Sequence, residues 1–238
     1  NTVDVSERTL HEIFLPPFRA AVEAGVDAIM PAFNEIAGTP MHAHRGLIRG
    51  MLREQWGFGG VLVSDYTGIM ELKRHGIAST DAQAVARALA ATVDIDMISG
   101  LYLEQLPELV KSGELPMAEV DAAVRRVLEA KRQLGLFDDP HRKTNVAREK
   151  ANALAPDVRA LAREAARESI VLLKNERGLL PLPKQIETLA VIGELAADKS
   201  ATLGMWYGAG KAEDAVTVLE GIRRALPNTQ LVYAPGAS

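Results

Sequence analysis

The chain has 238 residues, 47% of them hydrophobic and 24% charged, with a formal net charge of −4. Those values suit a globular protein with a sizeable core and exclude the basic face that nucleic acid or an anionic membrane surface would require. There is no cysteine, hence no disulfide frame or thiolate metal site, and no apolar run reaches the roughly 18 residues of a membrane span.

In chain order, residues 6–24 read as a helix with Ser6 as its cap and a break at Pro16-Pro17, ended by Gly25. VDAIMPAF (26–33) is an apolar run of strand length, followed by a loop, NEIAGTP, and a helix over 43–55. GVLVSD (60–65) is a second short strand, rich in β-branched residues. A short helix over 67–73 follows it, and an alanine-rich helix over 80–92 starts at a Thr80 or Asp81 cap. DIDMIS (94–99) is a third strand, and helices follow near 102–111 and 116–134. Strands separated by helices of this length pair in parallel. Three such strands are too few for a closed barrel of eight and fit the later part of a (β/α)8 barrel.

Residues 135–156 lose apolar periodicity and read as a linker between the barrel part, 1–134, and a second α/β region, 157–238. That region shows a helix over 157–174, a strand over 188–193, a helix over 216–226 and a strand over 229–234. The opening NTVDVSERTL reads as mid-domain sequence and the closing LVYAPGAS stops just after a strand, so both ends look cut and the lack of a visible leader says nothing about location.

Chemistry is expected where the strands end, because barrels of this kind gather reactive groups at the C-terminal ends of their strands. Asp65 and Tyr66 close the second strand. A carboxylate there either faces a concave site or caps the next helix, and spacing alone leans to the cap. Met30, Phe33, Asn34 and Glu35 close the first strand, where Phe33 could stack on a ring or simply belong to the core. Ser99 and Tyr102 follow the third strand and could equally mark a helix start. That all three strands end in polar or aromatic residues is what one shared site requires.

Other motifs fail. GMWYGAGKA (204–212) ends in Gly-Lys, but Met205 and Ala212 stand where a phosphate loop needs Gly and Ser or Thr. VIGELAAD has one glycine where a dinucleotide loop needs three. His42 and His44 lack a third ligand and read as a solvated loop, and His75 reads as a helix-end cation.

The run LREQWGFGGVLVSDYTGIMEL (52–72) resembles the nucleophile region of family 3 glycoside hydrolases. In the same order, residues 1–41, RRVLEAKRQLGLFDDP (125–140), AREAARESIVLLKNERGLLPL (162–182) and 191–222 resemble further stretches of that family, most of all its periplasmic bacterial β-glucosidases. The resemblance implies a (β/α)8 barrel followed by an α/β sandwich, and retaining hydrolysis of a small carbohydrate. It implies Asp65 as nucleophile, with Met30 and Phe33 shaping the subsite of the terminal sugar. Tyr66 falls where many members carry Trp or His, and Ser99 falls in the next loop. No metal or organic cofactor, nucleic acid or membrane is implied, and the location is periplasmic or secreted.

Ala37-Gly38 departs from the Asn-Gly of many members. The family's other sugar-binding residues and its acid/base Glu are expected outside this segment, so Glu35, Glu71 and Glu104 are read as surface residues and the chain alone as inactive. A β-xylosidase, a β-N-acetylglucosaminidase or a non-catalytic carbohydrate-binding relative are the alternatives.

Overall fold

The computed structural model describes residues 2–236. They form two compact units, one reaching to Arg148 and one beginning at Glu149.

In the first unit, β1 (Thr2–Val3) leads to α1 (Glu7–Thr9), where the Ser6 hydroxyl accepts the Thr9 amide at 3.1 Å. The helix widens into a π-turn over Leu10–Phe14 and breaks at Leu15, one residue before α2 (Pro16–Glu23). Proline suits that place because the first helical turn leaves its amides without intrahelical partners. The apolar run 26–33 supplies only a short strand, β2 (Ala28–Ile29).

The expected loop after it is a hairpin: β3 (Glu35–Ile36) pairs with β4 (Thr39–Pro40), and β1 pairs with β3 in parallel. Its two-residue turn, Ala37-Gly38, has positive φ at both positions (48° and 78°). A turn of this hand matches the twist of the flanking strands and ordinarily uses Asn or Gly first. Alanine there gave no sequence signal for a hairpin.

A 3-10 turn, Met41–Ala43, and a ten-residue π-helix, Gly46–Gln55, come next. β5 (Val61–Leu62) then pairs in parallel with β2, Ala28 opposite Val61 and Ile29 opposite Leu62. Gly60 is obligatory just before it, since a Cβ there would collide with the Asp27 carbonyl. The third strand is reduced to one parallel bridge, Val63 to Ile95. The parallel order of the three segments agrees with the sequence; their ladders are far shorter than the apolar runs.

α3 (Asp81–Ala90) follows a 3-10 helix, Met70–Lys73, and is capped by Thr80, which accepts the Gln83 amide. Its Ala84, Val85, Ala88 and Leu89 are buried, one face of a helix at a period of 3.6. They pack with Ile69, Leu72, Val93 and Leu101, and with Leu109 of α4 (Leu101–Lys111) and Ala123 of α5 (Met117–Gln133). A smaller cluster joins Ile48, Leu52, Phe58 and Leu62.

One buried ionic group ties these layers together. The Asp94 side chain has no exposed surface and meets Arg53 and Arg126 at 2.7 Å each. Its Oδ2 also accepts the Leu62 amide at 2.8 Å. Arg53 further donates to Thr92 Oγ1, Phe58 O and Gly60 O, and its guanidinium lies 5.0 Å from the centre of the Phe58 ring. Burial lowers the Arg53 pKa and the adjacent Arg126 adds to this, while Asp94 opposes both.

α6 (Val146–Asn152) forms inside the stretch read as a linker. In the second unit, α7 (Pro156–Ser169) buries none of its residues, and α8 (Val218–Ala225) opens with a reciprocal Thr217–Glu220 cap. β6 (Thr188–Ile192) and β7 (Gln230–Ala234) pair in parallel over five residues. Among the described residues, no helix is long and apolar enough to cross a membrane.

Two stability outcomes follow, both read from the thermal midpoint of the complete protein. Asp94→Ala leaves the largely buried Arg53 and the partly exposed Arg126 without their shared carboxylate and costs about 3 kcal/mol; a midpoint within a degree of the parent would contradict the role given to Asp94. Ala37→Asn relieves the left-handed backbone and adds about 0.5–1 kcal/mol; a lower midpoint would contradict the turn geometry.

Candidate functional site

The parallel pairing sets the site. Val63 donates its amide to Ile29 O at 3.1 Å, and Ser64 donates to Ile95 O at 2.9 Å. The residues that follow, Met30, Asp65 and Asp96, therefore leave the same C-terminal edge of one sheet. Ser64 is fully buried and locks that edge: its Oγ accepts the Met97 amide at 2.7 Å. From the sequence Ser64 reads as half of the polar pair ending the strand, or as a cap for the next helix; its partner lies 33 residues away.

Asp65 is half-buried and does not cap a helix. Its Oδ1 accepts the amide of the next residue, Tyr66, at 2.7 Å, and the residues after it are turns before the 3-10 helix at Met70. Among the described residues the Tyr66 amide is the only donor to its carboxylate, and Oδ2 has no hydrogen-bond partner. The cap reading thus loses to the strand-edge reading.

Around Asp65 the expected residues fall as follows. Met30 (47% exposed), Phe33 (37%) and Tyr66 (51%) are apolar or aromatic groups left open to solvent at the strand edge. Ser99 is half-buried and donates its hydroxyl to Asp96 Oδ1 at 2.6 Å. Tyr102 turns away: its hydroxyl donates to Val93 O, and burial raises its pKa well above the ordinary value. Asp96 spends Oδ2 on the Tyr102 amide at the start of α4.

Three sequence readings need correction. His42 is no solvated loop residue; it is 1% exposed, with its ring tilted against Phe33 at 6.2 Å between centroids. Its Nε2 accepts the Asp65 amide at 2.9 Å. Glu35 is half-buried and engaged, more than a plain surface residue: it takes hydrogen bonds from Thr2 Oγ1 and His75 Nδ1 at 2.6 and 2.8 Å, which hold its carboxyl below the usual range. His75 accordingly serves as Glu35's partner, cross-linking two of the strand-end loops. Glu104 is exposed, as read. Among the described residues no group of three His, Cys, Asp or Glu could hold a metal.

The loops store strain. Thr67 and Ile98 are β-branched yet have left-handed backbones (φ 58° and 64°). Such a conformation costs about 1–2 kcal/mol per residue and concentrates where geometry serves a site.

Comparison with known proteins identifies the family of the chain. The model of the glycosyl hydrolase family 3 N-terminal domain matches residues 1–130, and that of the C-terminal domain matches 170–235. A periplasmic β-glucosidase of Salmonella typhimurium is 43% identical over all of this chain and 32% of its own length. A β-xylosidase of Formosa agariphila is 36% identical over 98% of this chain and 34% of its own length. The crystal structure of a β-glucosidase from Listeria innocua in complex with glucose superposes with a TM-score of 0.83 at 36% identity, over 98% of this chain and 32% of that one. The chain thus spans about a third of the length of these relatives. It has their fold: part of a (β/α)8 barrel followed by part of an α/β sandwich.

Burial of His42 yields a pH prediction. Burial brings its pKa down from 6.5 to about 4, with Asp65 and Glu71 opposing the shift and His75 adding slightly to it. Below pH 6.5 the unfolded chain binds a proton that the folded chain refuses. Stability therefore falls between pH 6.5 and about 4, by on the order of 3 kcal/mol in all. In the complete protein, the thermal midpoint of His42→Gln should fall less over that window than the parent's; equal slopes would refute it.

Proposed function

The chain belongs to glycosyl hydrolase family 3, and from that premise we propose that it carries the nucleophile of a retaining, exo-acting β-glucosidase, with Asp65 in that role. The observation that carries the proposal is a carboxylate at the C-terminal edge of a parallel sheet, with one oxygen held by Tyr66 and the other free. Asp65 acts as the carboxylate, attacks the anomeric carbon of a terminal β-D-glucosyl residue and forms a covalent glycosyl-enzyme. A second carboxyl group, supplied from outside this segment, protonates the leaving oxygen and then activates water. Retention needs the two groups about 5–5.5 Å apart.

Met30 and Phe33 bound the subsite of the terminal sugar, Phe33 offering a face on which a pyranose ring stacks. Tyr66 flanks the nucleophile, and Ser99 lends a hydroxyl from the third loop. Residues 1–134 belong to the catalytic barrel, 135–156 link, and 157–238 open the sandwich. No cofactor enters the reaction. The Salmonella relative's name supports a periplasmic or secreted location. β-Xylosidase activity is the second reading, favoured by the Formosa relative.

The test uses the complete protein. Incubation with 2-deoxy-2-fluoro-β-glucosyl fluoride should leave a stable adduct on the peptide containing Asp65, and Asp65→Ala should lower kcat by several orders of magnitude while the protein stays folded. An adduct elsewhere, or near-normal turnover, would overturn the assignment. A comparison of kcat/KM on aryl β-glucosides and β-xylosides separates the two substrate readings.

A further inference from the structure

Asp65 is anchored at three atoms. Its carboxylate is held by the Tyr66 amide, its carbonyl accepts the Gly68 amide at 3.0 Å, and its own amide donates to His42 Nε2. Only the last anchor comes from another element, the 3-10 turn Met41–Ala43 that follows the hairpin. Without it, the Asp65 amide would lack an acceptor in the tight turn, and a backbone donor left so re-aims to find one.

The seat of the imidazole is built for this contact. Nε2 accepts from a backbone N–H, so it carries no proton and the ring is neutral, protonated at Nδ1. Gly68 lies against the ring so closely that a Cβ there would collide with Nε2. On another side stands Phe33, the ring assigned to the sugar subsite. Asp65, Glu71 and His75 are the charged or titratable groups that act on the ring, and burial outweighs the carboxylates to keep it neutral. One side chain therefore touches both the backbone of the nucleophile and the aromatic edge of the subsite.

We propose that His42 is a positioning residue: its neutral imidazole fixes the amide of Asp65, and so the aim of the Asp65 carboxylate, in register with Phe33. This rests on the reading of Asp65 as nucleophile. A shift of the order of 1 Å at a reacting group costs about 100-fold in rate, so the effect falls on turnover more than on binding.

The experiment compares His42→Gln, His42→Met, Gly68→Ala and Asp65→Ala in the complete protein, with kcat and KM on an aryl β-glucoside and the thermal midpoint for each. Glutamine places Oε1 the same number of bonds from Cβ as Nε2 and keeps the acceptor. Methionine fills similar space without one, and Gly68→Ala displaces the ring without removing it. We expect His42→Met and Gly68→Ala to lose roughly 10–100-fold in kcat with KM nearly unchanged, and His42→Gln to recover most of that loss. Equal kcat for the Met and Gln variants, or kcat that merely tracks the thermal midpoint, would overturn the proposal. If Asp65→Ala itself turns over normally, the nucleophile reading fails; if it is inactive while His42→Met matches the parent, only the role of His42 fails.

Discussion

Burying an aspartate would cost several kcal/mol were its charge left alone, and the first unit is organised around preventing that. Asp94 sits at the start of the third strand segment and faces two guanidinium groups, one from the π-helix before β5 and one from α5. It also takes the Leu62 amide from the neighbouring strand. Two-residue ladders supply few hydrogen bonds, so the sheet cannot fix its own register by backbone pairing alone. The ionic centre does it instead. Because Leu62 is held there, Ser64 lands against Ile95 and Met97, and Asp65 emerges at the sheet edge.

Downstream of that anchor, geometry passes from packing to chemistry in short steps. Ser64 binds the two strand ends, the turn after Asp65 folds back on its carbonyl, and two β-branched residues accept left-handed backbones to close the loops. Glu35 and His75 join the loop of the first strand to that of the second. The result is a rim on which Met30, Phe33 and Tyr66 stay open while Ser64, Asp96, Ser99 and Glu35 are engaged with protein partners. A sugar subsite needs that combination: exposed apolar surface for the ring faces and one uncommitted carboxylate oxygen.

Much of this frame was legible in the residues themselves. Thr80 announced α3, the Pro16 break divided the first helix, and the apolar runs at 60–65 and 188–193 gave strands where expected. Asp65 could be placed at a strand end, with its role left to the family resemblance. What escaped notice was set by distant partners. His42 looks like loop sequence, and only Gly68 and Phe33, brought up by the fold, make it buried. The 35–40 hairpin escaped because Ala37 stands where the usual turn residue would have flagged it. Asp94 and Asp96 lie two apart on one face of an otherwise apolar segment, a spacing that could have signalled buried cationic or amide partners. The helix read over 157–174 forms as α7 but stops at Ser169, and the apolar residues Ile170 to Leu173 that follow it are exposed and not helical.

The π-winding of Gly46–Gln55 carries a further consequence. A helix wound this way holds more residues in each turn than an α-helix does, and such winding is rare. Rewinding the segment to ordinary geometry, at roughly 3.6 residues per turn, would turn its later residues about the axis. Arg53 would swing off the Asp94 carboxylate, although no side chain had been altered. The ionic centre therefore depends on how this segment is wound as well as on the identity of Arg53: here geometry counts alongside the letters.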